Sequence, residues 1–221
     1  MKVKTIFEKL EKNRILPVVV IDDSKHAEPL GKALLEGGLG VAEVTFRTDA
    51  APDAVKILKQ TYPQMLLGAG PVLNVEQVKM ATDAGADFIV SPGINPKVVE
   101  YCVKNHICII PGTCNPTNIE MALSYGIHVV KFFPAEASGG INYIKAISAP
   151  YSNVRFIPTG GINQNNLQNY LSFDRVLACG GSWMVRQDLL QSQNYEEITQ
   201  LTYKAVTLAE QLKQNGEIKN K

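Results

Sequence analysis

Histidine and tryptophan are scarce in this chain, with three of the first and one of the second in 221 residues. His26, His106 and His128 stand far apart, with no H-x-H or H-x-x-x-H spacing, so nothing in the pattern requests a metal. The four cysteines, Cys102, Cys108, Cys114 and Cys179, form no C-x-x-C pair and no metal-finger spacing, which suits reduced and mostly buried thiols. No sign of charge prevails either. Lys and Arg number 22 against 21 Asp and Glu, a net +1 with the basic residues scattered, and this excludes the electrostatic footprint of a nucleic-acid or acidic-membrane binder. No apolar run approaches the roughly 20 residues that span a bilayer. No Ser/Gly/Pro-rich linker or charge block divides the chain, so residues 1–221 are expected to form one domain. The start, Met1-Lys-Val-Lys-Thr-Ile-Phe-Glu-Lys-Leu10, interleaves charges with apolar residues. It reads as an amphipathic helix over residues 1–13 rather than a signal peptide, and a cytoplasmic location is expected. What remains is a globular protein, 45% hydrophobic and 19% charged, whose partner is expected to be a small molecule.

What is abundant is β-branched sequence in short runs. Ile15–Ile21, Val41–Thr45, Met65–Ala69, Asp87–Ser91, Ile107–Ile110, His128–Phe133, Val154–Ile157 and Arg175–Cys179 make about eight strands, spaced roughly 20 to 26 residues apart, the period of a βα unit. Their near-continuous apolarity means both faces are covered, as in a parallel sheet. Helices fit the gaps. Asn115-Pro116 pairs a capping residue with proline at the first helical position, Gly37-Gly38 and Gly85 stop helices, and Asn194 can cap a last helix carrying Ile198, Leu201, Ala205, Leu208 and Leu212 along one stripe. Residues 215–221 are expected to be a frayed tail. The architecture expected is a compact α/β fold, a (β/α)8 barrel with an extra helix at the front; a doubly wound open sheet is the alternative. In a barrel, chemistry belongs at the C-terminal ends of the strands.

Three places carry residues suited to chemistry there. In Glu43-Val-Thr-Phe-Arg47, alternation sets Glu43, Thr45 and Arg47 on one face and Val44 and Phe46 on the other. The ordinary explanation of neighbouring charges is a surface ion pair. The barrel position instead sends the polar trio into the mouth. In His128-Val-Val-Lys-Phe-Phe133 the same rule groups Val129, Lys131 and Phe133. A strand lysine usually snorkels to water, but a closed barrel has no wet edge and Glu43 offers a carboxylate. Desolvation by Val129 and Phe133 disfavours an ammonium, and a neutral amine attacks a ketone to form a Schiff base. The protonated imine draws electrons, so a C–C bond β to it can break without a metal. Finally, Pro158-Thr159-Gly160-Gly161-Ile162 and Cys179-Gly180-Gly181-Ser182-Trp183 place glycine pairs after the seventh and eighth strands, where barrels often bind phosphate through backbone N–H groups.

With Glu43-Val-Thr-x-Arg47, Gly68-Ala-Gly70, Ser91-Pro-Gly93, Lys131-Phe-Phe-Pro-Ala-Glu136, Pro158-Thr-Gly-Gly-Ile162 and Gly180-Gly-Ser-Trp183 in order, the chain resembles the bacterial 2-keto-3-deoxy-6-phosphogluconate / 4-hydroxy-2-oxoglutarate aldolases from about Leu16 to Trp183. The resemblance implies a class I aldolase on a barrel, usually a homotrimer, with no metal or other cofactor. It acts on a small keto-acid or sugar-phosphate substrate and releases pyruvate. Lys131 falls on the family's Schiff-base lysine and Glu43 on the carboxylate that shuttles protons through a bound water. Arg47 falls on the guanidinium that grips the pyruvate carboxylate. Phe133, Thr159, Gly160, Gly161, Gly181 and Ser182 fall on substrate-binding positions. Two departures stand out. The chain reads Gly68-Ala-Gly-Pro71 where the family usually has G-A-G-T, and Pro71 offers neither a hydroxyl nor an N–H. Asn115 stands where threonine is common. Two further readings stay open: a sugar-phosphate isomerase or epimerase, which needs no imine, and an inert barrel that binds a sugar acid.

Overall fold

The computed structural model describes the backbone of residues 3–219 and the side chains of residues 3–213. An amphipathic helix, Val3–Asn13, buries Ile6 and Leu10 and leads into strand β1 (Ile15–Val19). The further strands are β2 (Val41–Thr45), β3 (Leu66–Gly70), β4 (Phe88–Val90), β5 (Cys108–Ile110), β6 (Gly112–Thr113), β7 (Val129–Phe132), β8 (Arg155–Pro158) and β9 (Cys179–Gly181). Every pairing is parallel. The strands form a curled α/β sheet whose hydrogen bonds group it in two parts. Six strands run in the order β5-β4-β3-β2-β1-β9 and three in the order β6-β7-β8. Single bridges, Phe156 to Val176 and Thr159 to Gly180, join β8 to the segment of β9. Buried apolar side chains from strands and helices form one contiguous cluster.

Asparagines set where several helices begin. Asn74, Asn95 and Asn115 each follow a strand and accept a hydrogen bond from a backbone N–H of the next turn, at 2.8, 3.1 and 2.9 Å. Such a cap contributes about 1 kcal/mol. Pro96 and Pro116 occupy the first helical position behind two of them. The last helix, Tyr195–Lys219, is capped by Asn194, which accepts from Glu197 N–H at 3.2 Å. Helical backbone thus reaches Lys219; of the expected frayed tail 215–221, residues 220 and 221 lie outside the described residues.

Two strand assignments differ from the sequence expectation. The segment after Ile110 contains a second short strand, β6, rather than only a loop. Pro111 has no N–H to donate, so it interrupts the ladder, yet its carbonyl still accepts from Lys131 N–H at 2.9 Å. The last strand begins at Cys179 rather than Arg175, so Gly180 and Gly181 lie within it. Bare backbone is needed there. A Cβ on Gly180 would sit 2.3 Å from Thr159 Oγ1 and one on Gly181 would sit 2.0 Å from the Trp183 ring.

The thiols follow expectation, with Cys102, Cys108 and Cys179 buried and Cys114 exposed, all free. Burial pushes the Cys102 and Cys108 thiols up to about 12 and raises that of Cys179 as well. Because only the thiolate reacts, titration of the native protein with a thiol reagent at pH 8 is expected to label Cys114 alone, and denaturation is expected to release the other three.

Candidate active site

The C-terminal ends of the strands enclose a cavity of about 250 Å³. Strand β2 contributes Glu43 and Thr45, with Arg47 just beyond it; Val44, one residue out of phase, is buried and does not line the cavity. Strand β7 contributes Lys131, with Phe133 following it, whereas Val129, expected to wall Lys131 as well, does not line this cavity and lines instead a depression at the other end of the strands. Period-two alternation therefore holds on both strands. All ten residues expected to form the site line this cavity: Lys131, Glu43, Arg47, Pro71 and Phe133, together with Thr159, Gly160, Gly161, Gly181 and Ser182.

At its floor the Lys131 ammonium donates to Glu43 Oε1 at 3.3 Å, with the two side chains 8% and 1% exposed. Two charges removed from water this far are each costly unless they meet. The Phe133 ring lies alongside, its centroid 5.5 Å from Lys131 Nζ, and adds the attraction of an aromatic face for a cation. Lys131 therefore does not snorkel. Room for the carboxylate comes from the Gly68-Ala-Gly70 stretch. A Cβ on Gly68 would strike the Phe88 ring at 2.4 Å, and one on Gly70 would lie 2.7 Å from Glu43 Oε1 and 2.9 Å from the Val90 carbonyl. Gly70→Ala is expected to displace Glu43, lower kcat at least about tenfold, and cost about 1–3 kcal/mol by overpacking. Steady-state kinetics and a melting curve check both effects.

Gly160 and Gly161 turn the chain after β8 with φ of +103° and +80°, a region where a Cβ is strained. The end of the Lys131–Glu136 motif holds this turn. Ala135 N–H donates to the Thr159 carbonyl at 2.8 Å and Glu136 N–H to the Gly160 carbonyl at 3.0 Å. The buried Tyr170 hydroxyl donates to Glu136 Oε1, and burial, with that carboxylate beside it, raises the Tyr170 phenol above its ordinary range. Among the described residues, the Gly161 N–H donates to no backbone carbonyl.

Three buried side-chain atoms of the cavity also lack a protein partner: Glu43 Oε2, Thr45 Oγ1 and Thr159 Oγ1. Each such group costs about 1–3 kcal/mol while unpaired. One other of this kind is recorded among the described residues, Thr202 Oγ1, and it does not line this cavity.

The sequence reading assigned no site role to Val18, Val20, Pro92 and Ile162, which complete the lining. The alternation of the first strand could have marked Val18 and Val20, but apolar walls carry no chemical signal. A wider apolar depression of about 760 Å³ lies at the other end of the strands, among Phe7, Ile107, Tyr125 and Val129. Its charged residues Lys4, Glu8 and Glu11 are exposed, so it holds nothing like the buried Lys131–Glu43 pair.

A family model described as KDPG and KHG aldolase matches residues 6–201. The chain belongs to this aldolase family. It is 47% identical over 203 residues to the 2-dehydro-3-deoxy-phosphogluconate aldolase of Haemophilus influenzae, covering 92% of this chain and 96% of that one. Among solved structures it resembles KDPG aldolase from Legionella pneumophila, which was captured with pyruvate as a covalent carbinolamine intermediate at low pH. The TM-score is 0.87 at 38% identity, over 90% of this chain and 96% of that one. The KDPG aldolase of Zymomonas mobilis ZM4 with 3-phosphoglycerate is similar too, with a TM-score of 0.87 at 36% identity over 93% and 97%. As an aldolase-family member the chain is a carbon–carbon lyase.

Proposed function

We propose that this protein is a class I aldolase that cleaves 2-keto-3-deoxy-6-phosphogluconate to pyruvate and glyceraldehyde 3-phosphate, and 4-hydroxy-2-oxoglutarate to pyruvate and glyoxylate. The observation that carries the reading is the buried Lys131–Glu43 pair at 3.3 Å in a cavity that Arg47 also lines.

Glu43 takes a proton from the Lys131 ammonium, and the amine attacks the C2 ketone to give a carbinolamine. Glu43 returns that proton to the carbinolamine hydroxyl, which leaves as water, and a protonated imine remains. Glu43, through a water, removes the C4 hydroxyl proton; the C3–C4 bond breaks, the aldehyde departs, and the bonding electrons pass into the imine to form an enamine. Reprotonation at C3 and hydrolysis release pyruvate and restore the lysine. The Arg47 guanidinium binds the keto-acid carboxylate. Pro71 and Phe133 wall the pyruvate end, while Thr159, Gly160, Gly161, Gly181 and Ser182 receive the sugar-acid chain and its phosphate. The unpaired Gly161 N–H supports that placement, as does the 3-phosphoglycerate found with the Zymomonas relative.

The same reading includes the closed form of the sheet, an eight-stranded barrel preceded by the helix Val3–Asn13. The bridges from β8 to β9 and the bond from Lys131 N–H to the Pro111 carbonyl support closure. It also includes a single domain, a homotrimer in the cytoplasm, and chemistry needing no metal. A coupled assay of pyruvate release over phosphorylated and unphosphorylated 2-keto-4-hydroxy acids tests the function. Turnover of the phosphorylated substrate is expected, and no release from any substrate would refute the reading.

A further inference from the structure

Of the buried, unpartnered polar atoms in the cavity, Thr45 Oγ1 alone belongs to a residue without an assigned task. Thr45 is 2% exposed and shares its face of β2 with Glu43 and Arg47. Its flanks offer its hydroxyl nothing. Across the β2–β3 ladder it pairs with Gly70, which has no side chain. Pro71 follows and brings no donor to the rim. On the β1 side the cavity wall is Val18 and Val20.

Position says what this hydroxyl meets. Steps of two residues along a strand advance about 6.6 Å, so Thr45 lies between the level of Glu43, which touches Lys131 Nζ, and that of Arg47 at the mouth. The keto-acid carboxylate is bonded directly to the carbon that Lys131 attacks and must reach toward Arg47. It passes the level of Thr45. Resting on the Schiff-base reading above, we propose that Thr45 is a substrate-binding residue whose hydroxyl donates a hydrogen bond to the carboxylate of the 2-keto acid. It takes this position beside a strand end, Gly70-Pro71, that has no hydroxyl of its own.

The test measures borohydride trapping as a function of ketone concentration in the unaltered protein, Thr45→Val and Thr45→Ser, with pyruvate and with acetone, which lacks the carboxylate. Thr45→Val keeps the shape and removes the hydroxyl. The concentration of pyruvate giving half-maximal trapping is expected to rise about tenfold or more, the scale of one hydrogen bond to a charged group, while that of acetone stays unchanged. Thr45→Ser is expected to recover most of the loss. The melting temperature of Thr45→Val is expected to hold or rise, because an unpaired buried hydroxyl has gone; a purely structural threonine would give a fall. An unchanged pyruvate value, or an equal rise for pyruvate and acetone, would overturn the role of Thr45 alone. No adduct on the unaltered protein would overturn the Schiff-base reading and this role with it. Should the valine variant fail to fold, Thr45→Ala carries the same pyruvate-against-acetone comparison.

Discussion

Replacing Lys131 with alanine is expected to stop pyruvate release, a loss of at least about 10⁴ of the 10⁶ or more that enzymes typically supply. The covalent route needs the amine itself, and among the described residues Lys131 is the one lysine lining the cavity. The variant should also be less stable. Removing the ammonium leaves the Glu43 carboxylate, 1% exposed, without its partner, and breaking a buried pair in this way costs about 3–5 kcal/mol. For a chain of this size that corresponds to a fall in Tm on the order of 10 °C. Circular dichroism below that melting point separates lost chemistry from lost fold. A variant that keeps turnover would show that another amine carries the reaction.

Glu43→Gln has a different signature. The amide keeps the volume beside Gly70, where a single added methyl would lie 2.7 Å from Oε1, but it can no longer accept the proton that C–C cleavage must lose. General acid–base groups typically contribute about 10² to 10⁴. The kcat for pyruvate release is therefore expected to fall by that factor, while imine formation, slower without the carboxylate that takes the lysine proton, still reaches completion, so that borohydride traps pyruvate on Lys131 after long incubation. Loss of trapping together with turnover would instead assign Glu43 to holding the lysine in place.

These two residues were legible in the sequence because a short strand obeys a period of two. Glu43, Thr45 and Arg47 had to share a face, Lys131 and Phe133 had to share another, and both sets line one cavity. The glycine pairs at 160–161 and 180–181 were legible as backbone without side chains, but what keeps the second pair bare was not. Gly180 and Gly181 sit inside β9, kept bare by Thr159 and Trp183. What stayed hidden depends on neighbours rather than on local pattern. The late start of β9 is decided by which carbonyls face which N–H groups across strands far apart in sequence. The grip of Glu136 and Tyr170 on the Gly160–Gly161 turn joins residues 34 apart. The apolar walls Val18, Val20 and Ile162 are like any core residue until the cavity is built. The wide depression at the far end of the strands likewise has no marker in the sequence.

The central claim is that the Lys131 amine becomes covalently bonded to the keto acid. Its most direct measurement is mass mapping of peptides after the native protein is reduced with borohydride in the presence of pyruvate. The account predicts one pyruvate-derived addition per chain, on the peptide carrying Lys131 and on no other lysine. An unmodified Lys131 at saturating pyruvate, or an adduct on a different lysine, would contradict it.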